Sequence, residues 1–256
     1  MKVLVEQRGP VAIVTINRPE TRNAIDPETA GLLKAAFAAF NRDPALSVAV
    51  LCGAGETFCA EYDLKSVGRA DIRAFYEPEG DGTLGISRML LDKPVIAAVE
   101  GHAVAGGLEL ALWCDLRVAS DSAEFGVFCR RWGVPLIDGG TVRLPRLIGH
   151  SRALDMILTG RPVGAEEALS FGLANRLVPK GQAQAEAERL ANEIAGFPQL
   201  CLRTDRMSSY RQWGLSLEDA LGAEGRAGAA PLFAEAEAGA ARFTAGRGRG
   251  GRFDDI

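Results

Sequence analysis

The hydrophobic pattern of this chain falls into two regimes. Up to about residue 120, short apolar runs rich in β-branched residues alternate with helical stretches; beyond about Ser151, helical periodicity takes over. Val3 to Glu6 and Val11 to Ile16 read as two strands, with Arg8-Gly9-Pro10 as the hairpin signal between them. The polar stretch NRPETRNAID ends at Asp26, a helix N-cap with Pro27 in the first helical position, and an Ala- and Leu-rich helix follows to about Arg42. Ser47 to Cys52 is a further buried strand, and GAGETFCAEYDL after it is a loop of small and polar residues. Residues 66 to 88 carry charge, Pro78 and the sequence EGDG, the marks of an exposed helix–loop–helix or a mobile segment. Ile96 to Val99 and Leu116 to Ala119 are expected strands. SRALDMILTG, AEEALSFG and the Ala/Glu-rich run from Gly181 to Ala195 are expected helices, each closed by a glycine, and Ser216 to Phe243 is a final helical pair. Strands and helices alternating at these lengths predict an α/β protein built on a mainly parallel sheet.

Composition narrows the partners. At 256 residues, 47% hydrophobic and a net charge of −4, the chain can bury a full core, and its slightly acidic balance argues against nucleic acid as the main ligand. Five irregularly spaced cysteines without a CxxC pair, and only two histidines (His102 and His150), argue against a metal site and for reduced thiols in a cytoplasmic protein. The N-terminus alternates and breaks at Gly9-Pro10, unlike a signal peptide, and no apolar run approaches the roughly 20 residues needed to span a bilayer. The Gly/Arg-rich tail GRGRGGRFDDI reads either as a solvated end or as a clamp on phosphate groups.

The candidate chemistry lies in IAAVEGHAVAGGLELALWCDLRVAS, residues 96 to 120. A short strand, a turn at Gly101 and the pair Gly106-Gly107 lead into a helix, with Leu108, Ala111, Leu112 and Asp115 at helical spacing. The first N–H groups of a helix lack intrahelical partners and carry partial positive charge, so this junction suits a developing oxyanion. Glycine at 106 and 107 lets a ligand approach the backbone, and Glu109 in the first turn can face the same ligand.

Three segments together resemble the crotonase (enoyl-CoA hydratase/isomerase) family. NRPETRNAID is similar to its first CoA-contacting loop, GAGETFCAEYDL to its first oxyanion segment and EGHAVAGGLELALWCDLRVAS to its second; FGVFCRRWGVPLIDGGTVRLPRLIG and LTGRPVGAEEALSFGLANRLVP also follow the family pattern. The resemblance implies a crotonase-like core of repeated ββα units over residues 1–195. A C-terminal helical region, residues 196–256, would serve oligomerisation, as a trimer or dimer of trimers, and completion of a neighbour's CoA site. It implies an acyl-CoA substrate, no cofactor or metal, and neither nucleic-acid nor membrane partners. The backbone N–H groups of Tyr62 and Gly106 would hold a thioester enolate. Arg22, Ala24, Ala60, Asp63, Leu64, Lys65 and Gly107 fall in the matched substrate- and CoA-binding segments.

Two departures from the family pattern matter. Glu61 stands where the family usually has Gly, at a place whose backbone angles Glu tolerates poorly. Hydratases of the family resemble one another in using two glutamates, one activating water and one handling the α-proton. The first maps to Glu109, whereas the second position holds Cys129, a poor substitute with an ordinary pKa near 8.5. Asp138, in LIDGGT, matches a loop where some isomerases of the family place a catalytic Asp, so Glu109 and Asp138 are the expected catalytic residues. The expected function is enoyl-CoA hydration. The alternatives are double-bond isomerisation on a single carboxylate and a non-catalytic acyl-CoA-binding homologue.

Overall fold

A computed structural model describes residues 1–63 and 77–253. The β-hairpin forms as expected, with β1 (Val3–Arg8) and β2 (Val11–Ile16) paired antiparallel from Val3 opposite Ile16 to Arg8 opposite Val11. The first helix, α1 (Pro27–Arg42), starts where its signals place it: the Asp26 side chain accepts from Thr29 N at 2.8 Å. Next come β3 (Val48–Gly53), β4 (Val95–Val99), β5 (His102–Val104), α2 (Gly106–Trp113), β6 (Leu116–Ser120) and β7 (Glu124–Gly126). The second half adds α3 (Gly140–Ile148), α4 (His150–Thr159), β8 (Val163–Gly164), α5 (Ala165–Phe171), β9 (Arg176–Val178) and α6 (Ala183–Ala195). Helices α7 (Gln199–Arg211), α8 (Leu217–Ala234) and α9 (Ala236–Thr244) close the chain.

The strands form two sheets. Six are ordered β1-β2-β3-β4-β6-β9, parallel from β2 onward, and three are ordered β5-β7-β8. Successive strand pairs split between the sheets: β4 and β6 belong to the large one, β5 and β7 to the small one. The large sheet is covered on both faces, which is why β3 and β4 are apolar throughout rather than alternating. On one face, Val11, Ile13, Val48, Val50, Ile96, Ala98 and Val118 pack under Ala183, Ala187 and Leu190 of α6. On the other, Phe37 of α1, Phe58, Leu84, Leu108 and Phe125 fill the space toward the small sheet and α2.

Where the pattern was weak, polar contacts decide. Helix α7 buries no residue; Arg206 Nε to Asp115 Oδ1 at 2.7 Å and Tyr210 Oη to the same oxygen at 2.7 Å hold it to the start of β6. Arg117 is buried in β6, donating to the carbonyls of Leu173 at 2.6 Å and Cys114 at 2.8 Å. Gly160 and Gly172 close α4 and α5 in the left-handed conformation. Gly196 departs from that expectation: at φ −74°, ψ −18° it continues the helical turn, so α6 ends without a left-handed cap. Among the described residues no helix is long and apolar enough to cross a membrane, and no group of three His, Cys, Asp or Glu could hold a metal.

Candidate active site

Three chain segments converge on the N-terminus of α2. The loop before α1 runs beside residues 60–63 in a short ladder: Ala60 N donates to Arg22 O at 3.0 Å, Ile25 N to Glu61 O at 2.9 Å and Asp63 N to Ile25 O at 2.8 Å. Arg22, Ala24, Ala60 and Asp63 are thereby brought together as expected, Arg22 exposed and with positive φ. Leu64 and Lys65 lie outside the described residues, as do residues 66–76 of the 66–88 segment. The buried Arg18 fixes this loop pair with Nη2 at 3.2 Å from Asp26 Oδ2 and 3.1 Å from Asp63 Oδ2. Buried Asn23 does the same, donating to the carbonyls of Ala54 (2.9 Å) and Thr57 (2.6 Å). Sequence reasoning singled out neither residue; their only signal was an Arg and an Asn amid the polar loop.

The 58–60 stretch then pairs with the turn leading to α2. Phe58 N donates to Glu100 O at 2.7 Å, Cys59 N to His102 O at 3.0 Å and Val104 N to Cys59 O at 3.2 Å. Contact is closest at Gly107, where a Cβ would overlap the Cys59 carbonyl, coming within 2.7 Å of its carbon. A Cβ on Gly106 would lie 3.3 Å from Tyr62 N. The backbone of Gly106 therefore lies against Tyr62 N, and neither N–H has a hydrogen-bond acceptor among the described residues. The Tyr62 ring packs against the core instead. Both donors follow a strained residue: Glu61 has φ 138° and Ala105 φ 50°. The expected strain at Glu61 is present; that at Ala105 is additional.

Glu109 projects from the first turn of α2 and is 3% exposed. Its Oε1 accepts from Asp138 N at 2.9 Å and Gly140 N at 2.8 Å. Burial pushes this carboxyl up to about 7; the nearby Asp138 charge adds to the rise, and the two N–H donors oppose it. Asp138 is 1% exposed, and its carboxylate accepts from the hydroxyls of Thr83 and Ser87 and from Leu84 N at 3.2 Å. Arg143, on α3, donates to Asp138 O at 3.0 Å and Ser87 O at 2.6 Å. Cys129 lies in a 3-10 turn, Phe128–Trp132. Burial pushes its thiol up to about 11, with the charges of Glu61 and Glu109 adding to it, so it is a neutral thiol at ordinary pH. His102 is half exposed beside Glu124, 3.5 Å away, outside this cluster.

A buried carboxyl titrating near neutrality beside two open N–H donors can move a proton next to an oxygen that is gaining charge. A family model for enoyl-CoA hydratase/isomerase matches residues 6–242. The chain belongs to the enoyl-CoA hydratase/isomerase family. It is similar to the enoyl-CoA hydratase EchA19 of Mycobacterium tuberculosis, 42% identical over 203 residues that cover 75% of this chain and 74% of that one. The (E)-benzylidenesuccinyl-CoA hydratase of Thauera aromatica is 38% identical over 221 residues, covering 85% and 86%. The crystal structure of the enoyl-CoA hydratase EchA1 of Mycobacterium marinum superposes with a TM-score of 0.89 at 35% identity, covering 96% of both chains. The expected crotonase-type fold of this enoyl-CoA hydratase/isomerase family member is thus borne out, C-terminal helices included.

Proposed function

We propose that this protein hydrates a 2-enoyl-CoA, adding water across the 2,3 double bond through a thioester enolate. The observation that carries the reading is the buried Glu109 carboxyl, titrating near 7, set on the same helix end as the Gly106 N–H that lies beside Tyr62 N. As the thioester oxygen becomes an enolate, it accepts from both N–H groups, which need no reorganisation at that moment. Ionised Glu109 takes the proton of the water whose oxygen bonds to C3. Asp138, whose carboxylate is already engaged by Thr83, Leu84 and Ser87, positions Glu109 through its own N–H. Arg22, Ala24, Ala60 and Asp63 form the wall along which the CoA portion is bound, and Leu64 and Lys65, next in the chain, are assigned to the same substrate contact. Gly107 keeps that wall against α2.

Double-bond isomerisation is the second reading, favoured by Cys129 at the second acid position, because moving a proton between carbons needs only one carboxylate. Offering a 2-enoyl-CoA and a 3-enoyl-CoA separately, with product identification, tests the two. Formation of the 3-hydroxyacyl-CoA supports hydration; positional exchange without water addition overturns it.

The C-terminal helices, residues 196–256, form the assembly region in this reading. Leu217 and Phe233 of α8 are 77% and 80% exposed, and Leu221, Leu232 and Phe243 add further apolar surface, which suits burial in a trimer or a dimer of trimers. Five unpaired cysteines support a cytoplasmic setting.

A further inference from the structure

The family arrangement of two acid/base glutamates loses its second member here, because Cys129 is a neutral thiol. We propose that Glu61 supplies the missing carboxyl, reaching the same space from the opposite wall and handling the proton at C2 of the substrate. This assignment rests on the hydratase reading above.

The position, backbone and buried oxygen of Glu61 carry it. Glu61 immediately precedes Tyr62, one of the two N–H donors, so its backbone lies at the point where the thioester is held. It occupies a strained φ of 138°, which a glycine would adopt freely, and the chain retains a long acidic side chain there. Its Oε1 is buried, and no group among the described residues donates to it, although an unmatched buried carboxylate oxygen is costly. Its charge and that of Glu109 both act on the Cys129 thiol. Burial raises its own carboxyl above the ordinary range, with Arg131 opposing. Asp138 has no such unmatched oxygen, since both of its carboxylate oxygens already accept hydrogen bonds.

The steps balance. Glu109 withdraws a proton from water as the oxygen bonds to C3, and the C2–C3 π electrons pass into the thioester, forming the enolate. The enolate then collapses as C2 takes the proton of the Glu61 carboxylic acid. Glu109 afterwards releases a proton to solvent and Glu61 regains one, so the net change is the addition of one water.

The test compares wild type with Glu61→Gly, Glu61→Gln and the double variant Glu61→Gly with Cys129→Glu. Hydration of crotonyl-CoA is followed by loss of the conjugated thioester absorbance, and deuterium entry at C2 of butyryl-CoA by mass spectrometry. Glu61→Gly and Glu61→Gln are expected to lower both rates by about 100-fold or more with KM within about threefold. Glu61→Gly melts no lower than wild type, because glycine relieves the backbone. The double variant, which restores the family arrangement, recovers at least about tenfold over Glu61→Gly. Glu61→Gly that keeps both rates within about threefold of wild type overturns the assignment and leaves hydration intact. A wild type that exchanges the C2 proton through Glu61 but adds no water overturns the hydratase reading and leaves the assignment.

Discussion

Replacing Glu109 by Gln removes a charge while keeping the shape, and stability and turnover should move in opposite directions. The Glu109 carboxyl titrates near 7 against an ordinary 4.5. At about 1.4 kcal/mol per tenfold change in proton affinity, that gap corresponds to about 3 kcal/mol. Between the two values the unfolded chain has released the proton and the folded chain still holds it, so the wild type loses stability as pH rises from about 4.5 to about 7 and is level above. Gln carries no such penalty, and its Oε1 can still accept from Asp138 N and Gly140 N. Glu109→Gln should therefore unfold on the order of 2–3 kcal/mol harder than wild type at about pH 8, with the advantage fading toward about pH 4.5. Urea unfolding at both pH values measures this, and turnover should fall about 100- to 10,000-fold in the same preparations. A difference between the two proteins that is the same at both pH values would refute the reasoning, because Glu109 would then not be a poorly solvated carboxylate.

Three further outcomes follow from the same geometry. For hydration, kcat/KM should rise with pH up to about 7, since Glu109 must be ionised to take the proton from water, and fall again at higher pH as Glu61 loses the proton it delivers; a profile flat down to about pH 5 would count against the role of Glu109. Asp138→Asn removes a negative charge beside Glu109 and replaces one acceptor oxygen by an NH2 donor, so the Thr83 or Ser87 hydroxyl, or Leu84 N, must reverse or lose its hydrogen bond. The acid limb of the profile should move to lower pH and stability should drop by about 1–3 kcal/mol, read by a pH series and by unfolding. Gly107→Ala drives a methyl into the Cys59 carbonyl. It should cost about 2 kcal/mol or more and abolish turnover, whereas a fully active, equally stable variant would mean that the two segments are not locked.

Much of this was legible because it is local. Asp26-Pro27 marks the start of α1, and the glycine pair before Leu108 marks the strand–turn–helix that carries Glu109. The small-sheet strands β5, β7 and β8 were not legible, since two or three residues give too short a run for a period to show. Helix α3 was hidden by Pro145 and a glycine start, and α7 by the lack of a buried face, its place being set by Arg206 and Tyr210 on Asp115. In the site, Glu109 could be placed from its turn of helix. The direction of the Glu61 side chain could not, because it depends on a positive φ and on Cys59 meeting Gly107, far along the chain.

The two proposed oxyanion donors, Tyr62 N–H and Gly106 N–H, belong to segments joined main chain to main chain, Cys59 against Gly107 and Val104. Their spacing is thus set by these main-chain contacts rather than by the side chains that line the acyl group. On the proposed reading, the surrounding walls can be rebuilt for a new acyl group while the same two N–H groups meet the thioester oxygen. Such a scaffold can change its substrate in small inherited steps without passing through a form that has lost its chemistry.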